Sequence, residues 1–218
     1  MKALTHLMLL FNVQQQQPTS SMGFLDRLPF FQGQPGKGDI LSEDRNEKIL
    51  DLLRAASEVG QVGSLASEED QQKMERLAEL AYPLSEFDKP AQVPSAGEHT
   101  LVYSAAPGAS SGRVFGNVVG KVSQLFENDE IFYNRVTFGP LMVALKARRE
   151  IKNGSTIKVS FLENTISLFG KTLTQKEIGG GGVWKVRFVG KVKDNDGKEK
   201  LVRVMETPSL FVLEQPLN

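Results

Sequence analysis

The sequence predicts a mainly β protein: an antiparallel barrel of about eight or nine strands preceded by two α-helices. Three observations carry that expectation. Apolar residues recur at helical spacing from Ser42 to Ala81, the spacing falls to two after Gly97, and the apolar runs beyond Gly97 are joined by turns too short to hold crossover helices. The chain divides accordingly into a targeting or disordered segment over 1–40, a helical lead-in with a Pro-rich linker over 41–97, and the barrel over 98–216. Its 218 residues, 40% hydrophobic and 24% charged, suit one domain with appendages rather than two full domains.

The opening "MKALTHLMLLFNV" has Lys2 followed by an apolar run from Leu7 to Leu10 and Phe11. That run is far shorter than the ~20 apolar residues that span a bilayer. With the polar, acid-poor "QQQQPTSSMGFLDRLPFFQGQPGKG" behind it, it has the form of an organelle address, and "MGFLDRLPFF" that of a short amphipathic turn touching membrane. A tail with no address is the alternative. The first helix, "SEDRNEKILDLLRAA", has Ser42 as N-cap, acids in its first turn and an apolar stripe of Ile49, Leu50, Leu52 and Leu53. "GQVG" ends it. The second restarts at "SEEDQQKMERLAELAY", with Ser67 as N-cap, Asp70 at the capping-box position and Met74, Leu77, Leu80 and Ala81 on one face. Pro83 stops that helix, and "FDKPAQVPSAGE" reads as linker.

The expected strands are "EHTLVYSA", "GKVSQLFEN", "EIFYNRVTF", "PLMVALKARREI", "STIKVSFLE", "TISLFG", "VWKVRFVG", "EKLVRVME" and "SLFVLEQ", with a turn at Glu163-Asn164 and strong hairpin signals at Asn153-Gly154 and Asp196-Gly197. A meander of this kind hides its edges by closing into a barrel, and eight strands leave room for one small ligand. Alternation puts Ile157, Val159 and Phe161 on one face against Lys158 and Ser160, and Trp184, Val186 and Phe188 against Lys185 and Arg187. Phe132, Val136 and Phe138 share a face, as do Leu141, Val143 and Leu145; Tyr103, Phe211 and Leu213 complete the expected inward set. The interior so predicted is apolar and aromatic, without a convergent acid, histidine or nucleophile. Such a lining suits a hydrophobic ligand, and side chains that simply fill the barrel give the same pattern.

Several motifs invite chemistry. Gly108-Ala109-Ser110-Ser111-Gly112 fits the G-x-S-x-G elbow of serine hydrolases, in which a histidine must take the serine proton. The two histidines, His6 and His99, both precede Ser110, so the serine-acid-histidine order of α/β-hydrolases is unavailable. Ser110 therefore reads as a loop residue, with a hydrolase the remote alternative. "IGGGGVWK" lacks Walker spacing and precedes a strand rather than a helix, and "DNDG" lacks the spaced ligands of a calcium loop. With no cysteine and two histidines, thiolate sites and imidazole-rich sites are excluded; neither a cofactor nor a metal is expected. Net charge is zero overall, yet residues 1–97 carry 9 Lys+Arg against 14 Asp+Glu (−5) and residues 98–218 carry 17 against 12 (+5). The basic half suits an anionic lipid surface or, more simply, a solvated strand face. No nucleic-acid recognition motif is present.

Taken in order, "ILDLLRAASEVG", "LAELAYPLSEFDKPAQVP", "EHTLVYS", "WKVRFVG" and "LVRVMETPSLFVLEQ" resemble the plastid lipid-associated proteins, or fibrillins, over about residues 44–214. The correspondences are the linker Phe87 to Pro94, the strand end Leu101 to Ser104, and the final hairpin from Val202 to Val204 and Leu210 to Leu213. His99 stands where the family commonly has Trp in G-x-W-x-L-x-Y. The resemblance implies a lipocalin-like antiparallel β-barrel that binds or transports hydrophobic molecules such as isoprenoid quinones, carotenoids or fatty acids, without catalysis. It also implies residence in the plastid (chloroplast), at plastoglobules, thylakoids or in the stroma. A structural coat on lipid particles, partnering a prenyl-lipid biosynthetic enzyme, is the alternative role.

Overall fold

The computed structural model describes residues 40–115 and 118–217. The expected address, its last residue apart, lies outside them. In chain order the elements are α1 (Ile40–Val59), α2 (Glu68–Ala81), β1 (Gly97–Ser104), β2 (Arg113–Phe115), β3 (Val118–Val119), β4 (Lys121–Phe126), β5 (Ile131–Phe138), β6 (Leu141–Ile151), β7 (Thr156–Leu168), β8 (Lys171–Glu177), β9 (Gly181–Lys193), β10 (Glu199–Glu206) and β11 (Leu210–Pro216). None of the described helices is long and apolar enough to cross a membrane.

The helices form largely where their spacing places them. α1 begins two residues before Ser42, so that serine lies inside the first turn rather than capping it. First-turn N–H groups have no intrahelical acceptor, and a serine is tolerated there at little cost. Ser67 does cap α2: its Oγ accepts from Asp70 N at 3.1 Å and donates to the Asp70 carboxylate at 2.7 Å. The buried face of α2 is Met74, Ala78 and Ala81, whereas Leu80, expected on that face, is 58% exposed. At 3.6 residues per turn Leu80 falls well round the helix from the face that Met74, Ala78 and Ala81 share.

Beyond Gly97 the chain is a nine-stranded antiparallel sheet in the order β6-β5-β4-β1-β11-β10-β9-β7-β8. β6 also pairs with β7, so hydrogen bonds run in a ring through eight strands and the sheet is barrel-like. β7 serves both neighbours on one edge: Thr156–Ser160 pair with β9 and Glu163–Leu168 with β8. The sequence reading broke β7 at Glu163-Asn164 and passed over β8. Asn164 reads as a turn residue, and "KTLTQKE" has no apolar face because β8 is exposed along nearly its whole length. The hairpin turns at Asn153-Gly154 and Asp196-Gly197 are present, the latter with Gly197 at φ +79°.

Two apolar layers result. One fills the ring. The other lies between the helices and the outer face of β1, β9, β10 and β11, and contains Ile49, Leu52, Met74, Tyr103, Phe188, Val204 and Val212. Fully burying Ile49, Leu52 or Met74 contributes about 2 kcal/mol each. Polar clasps fix the position of this layer. Asn46 continues the edge of β9, donating to Lys193 O at 2.9 Å and accepting from Lys193 N at 2.8 Å. Arg187, read as part of an open basic face, donates from Nη2 and Nε to Glu206 Oε2 at 2.8 and 2.9 Å and lies over the Tyr82 ring, while Tyr82 Oη donates to Glu206 Oε1 at 2.8 Å. Burial, then that carboxylate, pushes the Tyr82 phenol well above its ordinary pKa.

Candidate functional site

Bulges decide which side chains enter the ring. On β9 Val186 pairs with Met205 and Phe188 with Val204, leaving Arg187 as an extra residue; Val186 therefore faces in, Phe188 out under the helices, and Val189 in again. On β1 Leu101 pairs with Leu213 and Tyr103 with Val212, so Val102 is extra and Tyr103 lies beneath the helices too. Tyr103 and Phe188, both expected in the cavity, belong to the outer layer. A one-residue insertion exchanges faces, and strict alternation has no means of registering it. Against the Tyr103 ring packs Gly63, whose close approach admits no side chain: an added Cβ would sit 2.2 Å from Tyr103 Cε2.

One end of the ring is closed by the Pro-rich linker. Ala91 and Val93 join the interior cluster. Arg203, 2% exposed, donates to Pro94 O at 2.7 Å, Arg149 donates to Ser95 Oγ at 2.9 Å, and His99 Nε2 donates to Ser95 O at 3.2 Å. Among the described residues Arg203 has no carboxylate partner; burial, then the nearby Arg149, lower its pKa to about 10, which still leaves it charged at neutral pH. Burial, then Arg203, lower that of His99 to about 4 and hold the imidazole neutral. Above this floor an aromatic stack crosses the ring: His99 to Phe126 at 5.4 Å, Phe126 to Phe132 at 5.2 Å, and Phe132 to Trp184 at 5.7 Å between centroids.

Beyond the stack lies a cavity of about 40 Å³. Of the residues expected to line it, Val136, Leu145, Phe161, Trp184, Phe211 and Leu213 do so. Phe132, Val143, Ile157, Val159 and Val186 are buried in the surrounding interior cluster, and Phe138 and Leu141 pack half-buried against it. Sequence reasoning missed Leu101, Ala109, Val122, Gln124, Asn134, Met205 and Thr207; Ser110, read as a loop residue, lines the cavity too. Asn134 had a signal: it sits midway between Phe132 and Val136, both read as inward, and parity alone puts it on their face.

The interior is therefore less uniformly apolar than predicted. Gln124 on β4 pairs with Asn134 on β5, Asn134 with Leu145 on β6, and Leu145 with Asn164 on β7, one row across four strands. An extra residue at Leu162 lets Phe161 and Asn164 both face inward. Asn164 is 1% exposed, and neither its Nδ2 nor its Oδ1 has a hydrogen-bond partner among the described residues; the same holds for Asn134 Oδ1.

The roof is the Ala105–Gly112 loop, the stretch that contains the elbow-like motif. Ala106 and Ala109 are its buried apolar contribution, and Ser110 lines the cavity. Gln61 pins the loop, its Nε2 donating to Ser111 O at 2.7 Å and to Gly120 O at 2.8 Å. Gly112 sits at φ +88°, where a Cβ would meet Gln61 and Gly120 O at 2.4 Å. Ser110 lies in a 3₁₀ turn rather than a strand-to-helix elbow, and His99 spends Nε2 on Ser95 while Nδ1 has no partner among the described residues, so the two do not form a nucleophile–base pair. In the Asp194–Lys198 turn the Asp194 carboxylate accepts from Asp196 N and Lys198 N at 3.0 and 2.9 Å, as a hairpin turn requires.

Comparison with known proteins finds no family model, no curated protein and no solved structure that matches the chain.

Proposed function

We propose that the protein holds a hydrophobic small molecule, without chemical change, inside the ring and beneath the Ala105–Gly112 loop, in the manner of a lipocalin-like barrel. One observation carries this reading: the cavity is walled mainly by aliphatic and aromatic side chains and roofed by a loop whose buried apolar part is two alanines. Ligand sites of drug size occupy about 300–1,000 Å³, so binding displaces the loop and swings the mouth aromatics Phe161, Trp184 and Phe211 aside. Exposing two alanine methyls costs only about 0.8 kcal/mol each. The resemblance to plastid lipid-associated proteins supports isoprenoid quinones, carotenoids or fatty acids as ligands, and plastoglobules or thylakoids as the place of action.

A second reading has the chain coat lipid particles or partner a prenyl-lipid enzyme through its surface. The observation favouring it is that β8, at the end of the sheet order, and the turn leading into it carry Leu173 and Phe169 at 54 and 78% exposure. The two readings separate with the chain's single tryptophan, Trp184, which lines the cavity. Titration with the neutral dye 1-aminoanthracene should quench Trp184 and saturate at one dye per chain, and Val136→Phe, which fills the cavity, should weaken binding about tenfold. Unchanged binding in Val136→Phe, with liposome flotation lost in Phe169→Asp, sinks the cavity reading in favour of the surface one.

A further inference from the structure

We propose that the cavity selects hydrophobic molecules bearing a hydroxyl group, and that Gln124 and Asn134 hold that group. This rests on the cavity reading above and narrows its ligand class. Both amides line the cavity, from directly paired positions on adjacent antiparallel strands. Paired positions bring side chains to about 5 Å of one another, close enough to share one ligand atom. Asn134 Oδ1 is buried without a partner among the described residues, and two strands further along the same row Asn164 is unpartnered at both amide atoms. Buried polar groups are ordinarily paired, so a row of unpaired amides beside a cavity marks where a partner is missing.

The chemistry of the row defines the partner. The unpartnered atom in the lining, Asn134 Oδ1, is an acceptor and cannot pair with a ligand carbonyl, whereas a ligand hydroxyl donates to it and accepts from a neighbouring amide N–H. A pure hydrocarbon leaves both amides unpaired. A carboxylate gives up its water and finds no cation in the lining: Arg149 and Arg203 are engaged at the floor with Ser95 and Pro94, and Lys176, the register partner of Asn164, is exposed on β8 and outside the lining. The sequence pattern, read as apolar alternation, favours hydrocarbon and polar hydrophobe alike. The amide row distinguishes them.

The test uses three probes of equal chain length, hexadecan-2-ol, hexadecanoate and hexadecane, delivered from cyclodextrin to the full chain at pH 7.5 and followed by Trp184 emission. The alcohol should bind about tenfold more tightly than either of the others. Gln124→Leu and Asn134→Leu should each reduce that preference at least threefold while hexadecane affinity stays the same or rises; melting temperatures confirm that both variants fold. Equal affinity for alcohol and hydrocarbon, a preference for hexadecanoate, or an alcohol preference that survives both substitutions overturns the inference and leaves the cavity reading standing. Failure of all three probes to bind overturns both.

Discussion

Asn164→Leu should make the ligand-free protein more stable. The parent buries a side-chain amide at 1% exposure with neither of its polar atoms paired among the described residues, beside the inward Leu145. Each unpaired buried group costs about 1–3 kcal/mol, and a buried leucine adds about 1.5–3 kcal/mol of apolar transfer. Against this stands the strain of a bulkier, branched side chain in a packed interior, about 1–3 kcal/mol. With the amide taken as one such group, the mid-range terms leave a gain of about 2 kcal/mol, or roughly 4–8 °C in Tm at 2–4 °C per kcal/mol for a chain of this size. Urea denaturation followed at Trp184, with calorimetry beside it, gives both numbers. A loss of 1 kcal/mol or more would refute the reasoning, because it would mean the amide makes hydrogen bonds in solution and the row is already satisfied.

Gly63→Ala should cost about 2–3 kcal/mol, read from urea melts, because the new methyl lands 2.2 Å from the buried Tyr103 ring and the helix layer must shift to admit it; a cost under 0.5 kcal/mol would show that layer to be loosely packed. His99 is neutral in the fold with a pKa near 4 against 6.5 unfolded, so between those values the unfolded chain binds more protons and stability falls as pH drops from about 6.5 to 4, by at most about 3 kcal/mol. His99→Gln should flatten that slope, and parallel curves for the two proteins would contradict the assignment. Gln61→Ala releases the carbonyls of Ser111 and Gly120 that fix the roof loop, and should speed ligand association and dissociation severalfold in stopped-flow at a stability cost of about 1–2 kcal/mol. Unchanged rates would place the entrance elsewhere.

The fold was legible wherever local chemistry and periodicity agree. Ser67 capping α2, the Asn153-Gly154 and Asp196-Gly197 turns and the alternating runs of β5, β6 and β10 are all written in short-range pattern, and the ring follows from their close succession. The candidate site was half legible, for a reason visible at Arg187 and Val102. Each is an extra residue in its strand, and each turns the next large aromatic, Phe188 or Tyr103, from the cavity to the helix layer. Asn164 misled in two ways at once. Its residue type signals a turn, yet it sits within a thirteen-residue strand facing the interior. The floor was invisible for a different reason: Arg149 and Arg203 look like surface charges in a strand, and only the linker carbonyls and hydroxyl folded beneath the ring explain their burial.

The most direct test of a ligand held within the ring is native mass spectrometry of the chain purified without detergent, before and after exposure to a plastid lipid extract, followed by solvent extraction of whatever is bound. The account predicts one hydrophobic molecule per chain, carrying a hydroxyl group, and its loss in Val136→Phe. A chain that stays at its own mass after that exposure, with Trp184 emission unmoved, would contradict it and leave the exposed apolar surface around β8 as the seat of function.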